Sequence, residues 1–155
     1  MPDSVLIRIA TPADAPEVSR VYLASRHRFL PYAPLAHSDD EVRQWIATAV
    51  IPSGGVRVAV VAGKIVGMMA LSDDGALRWI DHLYLHPSAV NQGLGAALLQ
   101  IALRELPPPI RLYTFQANAA ARRFYERHGF QAIAFGDGSG NEEHAPDVLY
   151  ERRGD

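Results

Sequence analysis

The sequence contains no cysteine, which excludes disulfide bonds, thiolate metal sites and cysteine nucleophiles. Neither sign of charge is in excess: the formal net charge is −2 over 155 residues, so the composition does not favour nucleic acid as a partner. No stretch approaches the roughly 18 apolar residues that a membrane-spanning helix needs, so no membrane association is expected. Charged residues interrupt the N-terminal region, which argues against a signal peptide, and a cytoplasmic protein is expected.

What is present suits one globular domain covering residues 1–155, with 48% hydrophobic and 21% charged residues. The apolar patterns predict a strand, two helices, three strands, a helix, a strand, a helix and two strands. Ser38 and Glu41 have the spacing of a capping box, and Asn118 is a suitable helix N-cap. The order predicts an α/β fold: a central βαβ unit with a parallel strand pair, inside a mixed, mostly antiparallel sheet of about seven strands and four helices.

Two glycines mark the passage from the third meander strand, Trp79 to Leu85, into the following helix. Gly93 and Gly95 would let a phosphate group approach the main chain, where the N–H groups of a helix start offer an anion site. Tight packing of the strand against the helix would explain the same glycines equally well. Leu98 stands where a dinucleotide fingerprint has its third glycine, and no nucleoside-triphosphate loop is present.

The segment Val90-Asn91-Gln92-Gly93-Leu94-Gly95 resembles the pyrophosphate loop of the GNAT superfamily of N-acetyltransferases, usually written R/Q-x-x-G-x-G/A. A second element of that family, N-x-x-A-x-x-F-Y followed by G-F, is matched downstream by Asn118, Ala121, Phe124, Tyr125, Gly129 and Phe130. Val90 departs from the family pattern, which usually has Arg or Gln there. The main-chain N–H groups from Gln92 to Ala96 would then carry more of the phosphate contact.

The resemblance implies the GNAT fold and acetyl-CoA as co-substrate, without a metal. It also implies a sheet that opens between the fourth and fifth strands, Asp81–Leu85 and Ile110–Thr114, to admit the cofactor. The cofactor-binding residues that it implies are Leu83, Leu85, Val90, Gln92, Gly93, Leu94, Gly95, Ala96, Asn118 and Tyr125.

By the same resemblance, Tyr125 would protonate the thiolate that leaves during acetyl transfer. Without the family context, Phe124 and Tyr125 are better explained as aromatic anchors of an amphipathic helix, and Phe124 is expected in the core in either case. An attacking amine also needs a base, and His82 and Asp81 are the nearest titratable candidates, although polar strand residues often only meet solvent. His82 and His86 are too far apart on a strand, at ~13 Å, to share a metal ion.

The acceptor side should be walled by the segment between the first two helices and by the last loop between strands. Phe29 and Tyr32 in the first, and Glu142 and Glu143 in the second, are the predicted acceptor-binding residues. The expected acceptor is a primary amine of a small molecule. A protein or peptide amine and a non-catalytic acyl-CoA sensor are the alternatives, and a homodimer stays open.

Overall fold

The computed structural model describes residues 4–154, and its centre is a mixed sheet in the order β1-β2-β3-β4-β5-β7-β6. Four helices flank the sheet within the described range, as the sequence predicts. The strands are β1 Val5–Ile9, β2 Val56–Val61, β3 Lys64–Asp73, β4 Arg78–Leu85, β5 Ile110–Phe115, β6 Gln131–Gly136 and β7 Asp147–Arg152. The helices are α1 Ala15–Phe29, α2 Asp39–Trp45, α3 Leu94–Glu105 and α4 Ala119–Arg127.

The predicted helix starts are confirmed where polar caps were expected. The Ser38 hydroxyl accepts the Glu41 N–H at 3.2 Å, and the Glu41 carboxylate accepts the Ser38 N–H at 2.9 Å. Asn118 accepts the Ala121 N–H at 3.2 Å and caps α4. The second helix differs in its C-terminal part. Regular α-helix ends at Trp45, and the chain continues from Ile46 to Val50 as a wider π-helical turn.

Two apolar cores lie on opposite faces of the sheet. Helices α1 and α2 cover β1 to β4 on one face, where Val18, Ile46 and Met68 are fully buried. Helices α3 and α4 cover the other face, where Leu98 and Leu112 are fully buried. None of the described helices has the length and apolar character that would allow it to cross a membrane.

The only parallel pair in the described sheet, β4 with β5, opens soon after it begins. The two strands are paired at Arg78 with Ile110 and at Trp79 with Arg111, and at no later position. A bulge at Asp81, between the β3 pairs of Ile80 and His82, marks the level at which they separate. The opening that the family resemblance implied is therefore confirmed, and it leaves one side of β4 unpaired from the bulge onward.

Candidate active site

A cavity of about 90 Å³ lies in this opening, and we call it the inter-strand cavity. Asp81 to Tyr84 of β4 and Leu112 to Phe115 of β5 line its sides. Helix α4 contributes Ala121 and Tyr125 together with the cap residue Asn118. The separated strands and the last helix thus border one cavity, and of the two sequence motifs it is the second, Asn118 to Tyr125, that lines it.

The main chain of β4 is oriented to serve this cavity. The His86 N–H donates to the Val66 carbonyl at 2.8 Å, on the β3 side. Because main-chain groups alternate sides along a strand, those of Leu85 and Leu83 point the other way, towards the opening. An extended ligand with amide groups could therefore hydrogen-bond to β4 as an added strand.

Tyr125 is buried, with 8% of its surface exposed, yet its side chain borders the inter-strand cavity. Its ring packs against those of Phe124 at 5.1 Å and Phe130 at 5.6 Å between centroids. Among residues 4–154 the Tyr125 hydroxyl has no hydrogen-bond partner. Burial, and next the nearby Tyr84, raise the pKa of Tyr125 well above its ordinary value, so the hydroxyl keeps its proton at neutral pH.

Helix α3 begins beside the end of β4 with no side chain capping its first turn. Gly93 is the N-cap with φ of +81°, in the left-handed region that favours glycine. The first helical hydrogen bond joins the Ala97 N–H to the Gly93 carbonyl at 3.0 Å, which leaves the preceding N–H groups for solvent or an anion. A Cβ at Gly95 would lie 3.6 Å from the Phe124 ring and 3.8 Å from Leu85. The helix start therefore adjoins the opening.

The other residues of the predicted cofactor site have mixed placements. Val90 is half-buried, and the exposed Gln92 donates to the Ser88 carbonyl at 3.4 Å. Leu94 is buried in the core beneath α3, so only its main chain can meet a ligand. The Asn118 oxygen caps α4, and its amide nitrogen has no acceptor within the part of the chain that the structure describes.

A second, larger cavity of about 630 Å³ adjoins the first on the α1 side of the sheet, and we call it the large cavity. Asp81, His82 and Tyr84 border both cavities. The β6–β7 loop forms one wall, and Arg26 from α1 adjoins this wall through its ion pair with Glu143. Four carboxylates and one guanidinium line the large cavity, which makes it electronegative: Asp81, Asp137, Glu143, Asp147 and Arg26.

His82 and Asp81 are neighbours with different surroundings. The His82 ring contacts Tyr22, Trp45 and Tyr84 at centroid distances of 5.6, 5.4 and 6.0 Å. Burial lowers the pKa of His82 to about 4, so the ring is neutral at neutral pH. Asp81 is exposed at the bulge, and within residues 4–154 its carboxylate accepts no hydrogen bond.

The structure separates the four predicted acceptor residues. Glu143 lines the large cavity and pairs with Arg26 at 3.2 Å. Glu142 instead points away and pairs with His37 at 3.2 Å. Tyr32 lines neither cavity. Its ring packs edge-on against that of Phe115, with centroids 6.2 Å apart, and Phe115 lines both cavities. Phe29, at the end of α1, lines neither cavity.

Several cavity residues were not among the predicted site residues. Tyr113 and Phe115 project from β5 on the face opposite to Ile110 and Leu112. The alternation of apolar and aromatic residues in β5 carries this signal, because it marks a strand with a different environment on each face. Arg26 had no comparable signal, since its burial depends on contacts with Ala33, Tyr84 and Glu143.

Comparison with known proteins identifies the family to which this chain belongs. The sequence model of the Acetyltransferase (GNAT) family matches residues 20–130, which include all of β4, α3 and α4. The chain therefore belongs to the GNAT family of acetyltransferases. A curated relative, peptidyl-lysine N-acetyltransferase YiaC of Escherichia coli, is 30% identical over 71 residues. That alignment spans 46% of this chain and 46% of YiaC, less than half the length of either.

Solved structures share the fold over almost the whole chain. Apo YjaB from Escherichia coli superposes with a TM-score of 0.77 at 20% identity, covering 98% of this chain and 99% of its own. The PaiA N-acetyltransferase from Thermoplasma acidophilum, solved in complex with coenzyme A, superposes with a TM-score of 0.75 at 19% identity. The match covers 97% of this chain and 99% of PaiA. An acetyltransferase of the GNAT family from Bacillus cereus superposes with a TM-score of 0.76 at 14% identity, and the match covers 97% of each chain. At these identities the likeness concerns the fold.

Proposed function

We propose that this protein is an acetyl-CoA-dependent N-acetyltransferase that acts on a primary amine of a small molecule. The observation that carries the proposal is the opening between β4 and β5. It leaves one edge of β4 unpaired beside the buried Tyr125, and the uncapped start of α3 adjoins Leu85 at the end of the same strand. These are the groups that a long thioester with amide and pyrophosphate parts requires.

The residues at the opening fit coenzyme A in three parts. The main chains of Leu83 and Leu85 would pair with its amide groups, and the N–H groups around Gly95 would bind its pyrophosphate. The Asn118 amide nitrogen supplies a further donor beside the thioester arm. When bound, acetyl-CoA supplies the activated acetyl group, and the reaction needs no metal from this site.

The chemistry assigned to the site is direct transfer between two bound substrates. A C–N bond forms between the neutral amine and the acetyl carbon, the C–S bond breaks, and the amine loses a proton. Tyr125 gives its proton to the departing sulfur, since this residue borders the inter-strand cavity and its hydroxyl stays protonated. The Leu85 N–H lies on the strand side that faces the opening, and we assign it as the donor that stabilises the negative charge on the acetyl oxygen.

The amine end of the acceptor belongs beside Asp81 and His82, because both residues border the two cavities. The Asp81 carboxylate attracts an ammonium group, and the neutral His82 ring can accept a hydrogen bond from the amine. Asp81, acting directly or through water, is the more accessible proton acceptor of the two. Since a carboxylate contact also raises the pKa of the amine, deprotonation still limits the rate at neutral pH.

The large cavity supports a small acceptor. Its volume of about 630 Å³ lies within the usual range of small-molecule sites, and its carboxylates favour a cation. A peptide lysine is the second candidate, because YiaC acts by its name on peptidyl-lysine.

Release of coenzyme A thiol, followed with a panel of amines and a lysine-containing peptide, tests the proposal. We expect acetyl-CoA-dependent thiol release with at least one small amine at a higher kcat/KM than with the peptide. Preference for the peptide would favour the second candidate. Binding of acetyl-CoA without turnover of any amine would indicate a sensor and refute the enzymatic function.

A further inference from the structure

Tyr113 on β5 is an aromatic residue that the fold does not bury. Tyr113 is 60% exposed, although it lies within a strand that has a neighbour on each side in the sheet, β4 and β7. The Trp79 ring stacks on it, with centroids 5.7 Å apart and planes inclined by 9°. Tyr113 is thus held in place while much of its surface stays accessible.

The register of β4 and β5 explains how Trp79 orients this ring. Trp79 pairs with Arg111, and Tyr113 follows two residues later on the same face of β5, within reach of a large ring. Tyr113 lines the large cavity, whereas Trp79 does not. Trp79 therefore supports the tyrosine from outside, and the accessible part of the tyrosine borders the cavity.

Apolar residues extend this surface across the sheet. Tyr113 pairs with Leu149 of β7, which pairs in turn with Ala134 of β6, and all three line the large cavity. We call these three residues the apolar floor. Helix α1 packs on β3 and β4, so this part of the sheet face lies beyond the helices that cover its other half.

The apolar floor lies beside a negative charge at the opening. Asp81 and Tyr113 each lie two residues beyond the last paired positions of their strands, Trp79 and Arg111, and both border the two cavities. A ligand with a cationic amine and a flat apolar body would satisfy both groups. Its amine would lie at Asp81 and its body on the apolar floor, joined by a short carbon linker.

We propose that the preferred acceptor is an arylalkylamine whose aromatic ring packs on Tyr113, with Leu149 and Ala134 beside it. This inference rests on the proposed function, because it assigns the acceptor for the same reaction. Three features favour this ligand: the continuity of the apolar floor with the opening, the Asp81 carboxylate beside it, which has no ion-pair partner among residues 4–154, and a tyrosine already oriented by a stacking partner. Preorganised aromatic surfaces bind flat groups with little loss of side-chain freedom.

The competing explanation is that Trp79 and Tyr113 form only a stabilising pair between strands. Such pairs contribute to sheet stability without any ligand. Removing the tyrosine ring would then lower stability but would affect all amines alike. The decisive quantity is therefore the selectivity between amines with and without a ring.

The experiment compares 2-phenylethylamine, n-butylamine and a lysine-containing peptide as acceptors at saturating acetyl-CoA. We expect kcat/KM for 2-phenylethylamine to be about tenfold or more above that for n-butylamine. Tyr113→Ala should lower it roughly two- to tenfold through KM, the range that aromatic contacts provide, with little change for n-butylamine. Tyr113→Phe should keep the preference. The matched control is Ile133→Ala, an exposed β6 residue outside both cavities, which should change neither rate.

Equal effects of Tyr113→Ala on both amines, or a higher kcat/KM for the peptide than for 2-phenylethylamine, would overturn this inference while leaving acetyl transfer intact. Absence of thiol release with every acceptor would instead refute the proposed function. If Tyr113→Ala lowers the melting temperature strongly, the comparison is made with Tyr113→Leu instead, because leucine keeps apolar bulk without a ring. The same loss of selectivity is then expected.

Discussion

Replacing Tyr125 by phenylalanine should separate the chemical role of its hydroxyl from the packing role of its ring. The ring contacts Phe124, Phe130 and Tyr150, with centroids between 5.1 and 6.5 Å away, and phenylalanine can keep these contacts. Because no protein group among residues 4–154 bonds to the hydroxyl, its removal breaks no internal hydrogen bond. The free energy of unfolding should therefore change by less than about 1 kcal/mol.

Turnover should respond much more strongly. Burial keeps the Tyr125 hydroxyl protonated at neutral pH, as a proton donor to a leaving thiolate must be. Loss of one general acid costs about 10²–10⁴ in rate, which corresponds to roughly 3–5 kcal/mol in the activation free energy. Binding of acetyl-CoA should change little, since the hydroxyl acts mainly as the sulfur departs.

The assay measures kcat for thiol release with both substrates saturating, together with the Kd of acetyl-CoA by calorimetry. Tyr150→Phe is the matched control, because Tyr150 is a fully buried tyrosine close to Tyr125 that lines neither cavity. Its hydroxyl donates a hydrogen bond to the Glu126 carboxylate at 2.6 Å. That control should lose some stability and retain kcat. A kcat for Tyr125→Phe within twofold of the wild-type value would refute the assignment of this hydroxyl as proton donor.

Three further predictions concern the cofactor, pH and the loop. Gly95→Leu should raise the Kd of acetyl-CoA by about tenfold or more, because the added side chain would occupy the space beside Phe124; an unchanged Kd in a folded variant would place the pyrophosphate elsewhere. The pKa of His82 falls from 6.5 in the unfolded chain to about 4, so its contribution to stability is present above pH 6.5 and lost as pH falls towards 4. Urea unfolding should show up to about 3 kcal/mol less stability at the acid end, and His82→Gln should reduce this dependence. Glu143→Gln should raise KM for the amine with little change in kcat; an unchanged KM would show that Glu143 serves only Arg26.

The order of strands and helices could be predicted because local signals and the global fold agree. The Ser38 and Asn118 caps, the proline run after α3 and the glycine loop each define an element boundary without tertiary information. The main-chain part of the site follows from the same signals. Gly93 and Gly95 mark the start of a helix, and the alternation of main-chain groups along β4 then turns those of Leu83 and Leu85 towards the opening.

The side-chain part of the site depends on contacts that sequence patterns do not encode. Glu142 and Glu143 are adjacent and chemically equal, yet one pairs with His37 and the other with Arg26 in the large cavity. Burial of His82 among rings from α1 and α2 moves its pKa far from the value that made it attractive as a base. Both outcomes depend on how the helices and the last loop pack.

Amide NMR spectra recorded while coenzyme A is added test the central claim most directly, namely that the opening beside β4 is the cofactor site. Amide groups that form hydrogen bonds to a ligand should shift most, so the largest changes are expected at Leu83, Leu85 and Leu94 to Ala96. The amides of β1, at the opposite edge of the sheet, should stay in place. Saturable shifts confined to other parts of the chain, with none on β4 or at the start of α3, would contradict the account.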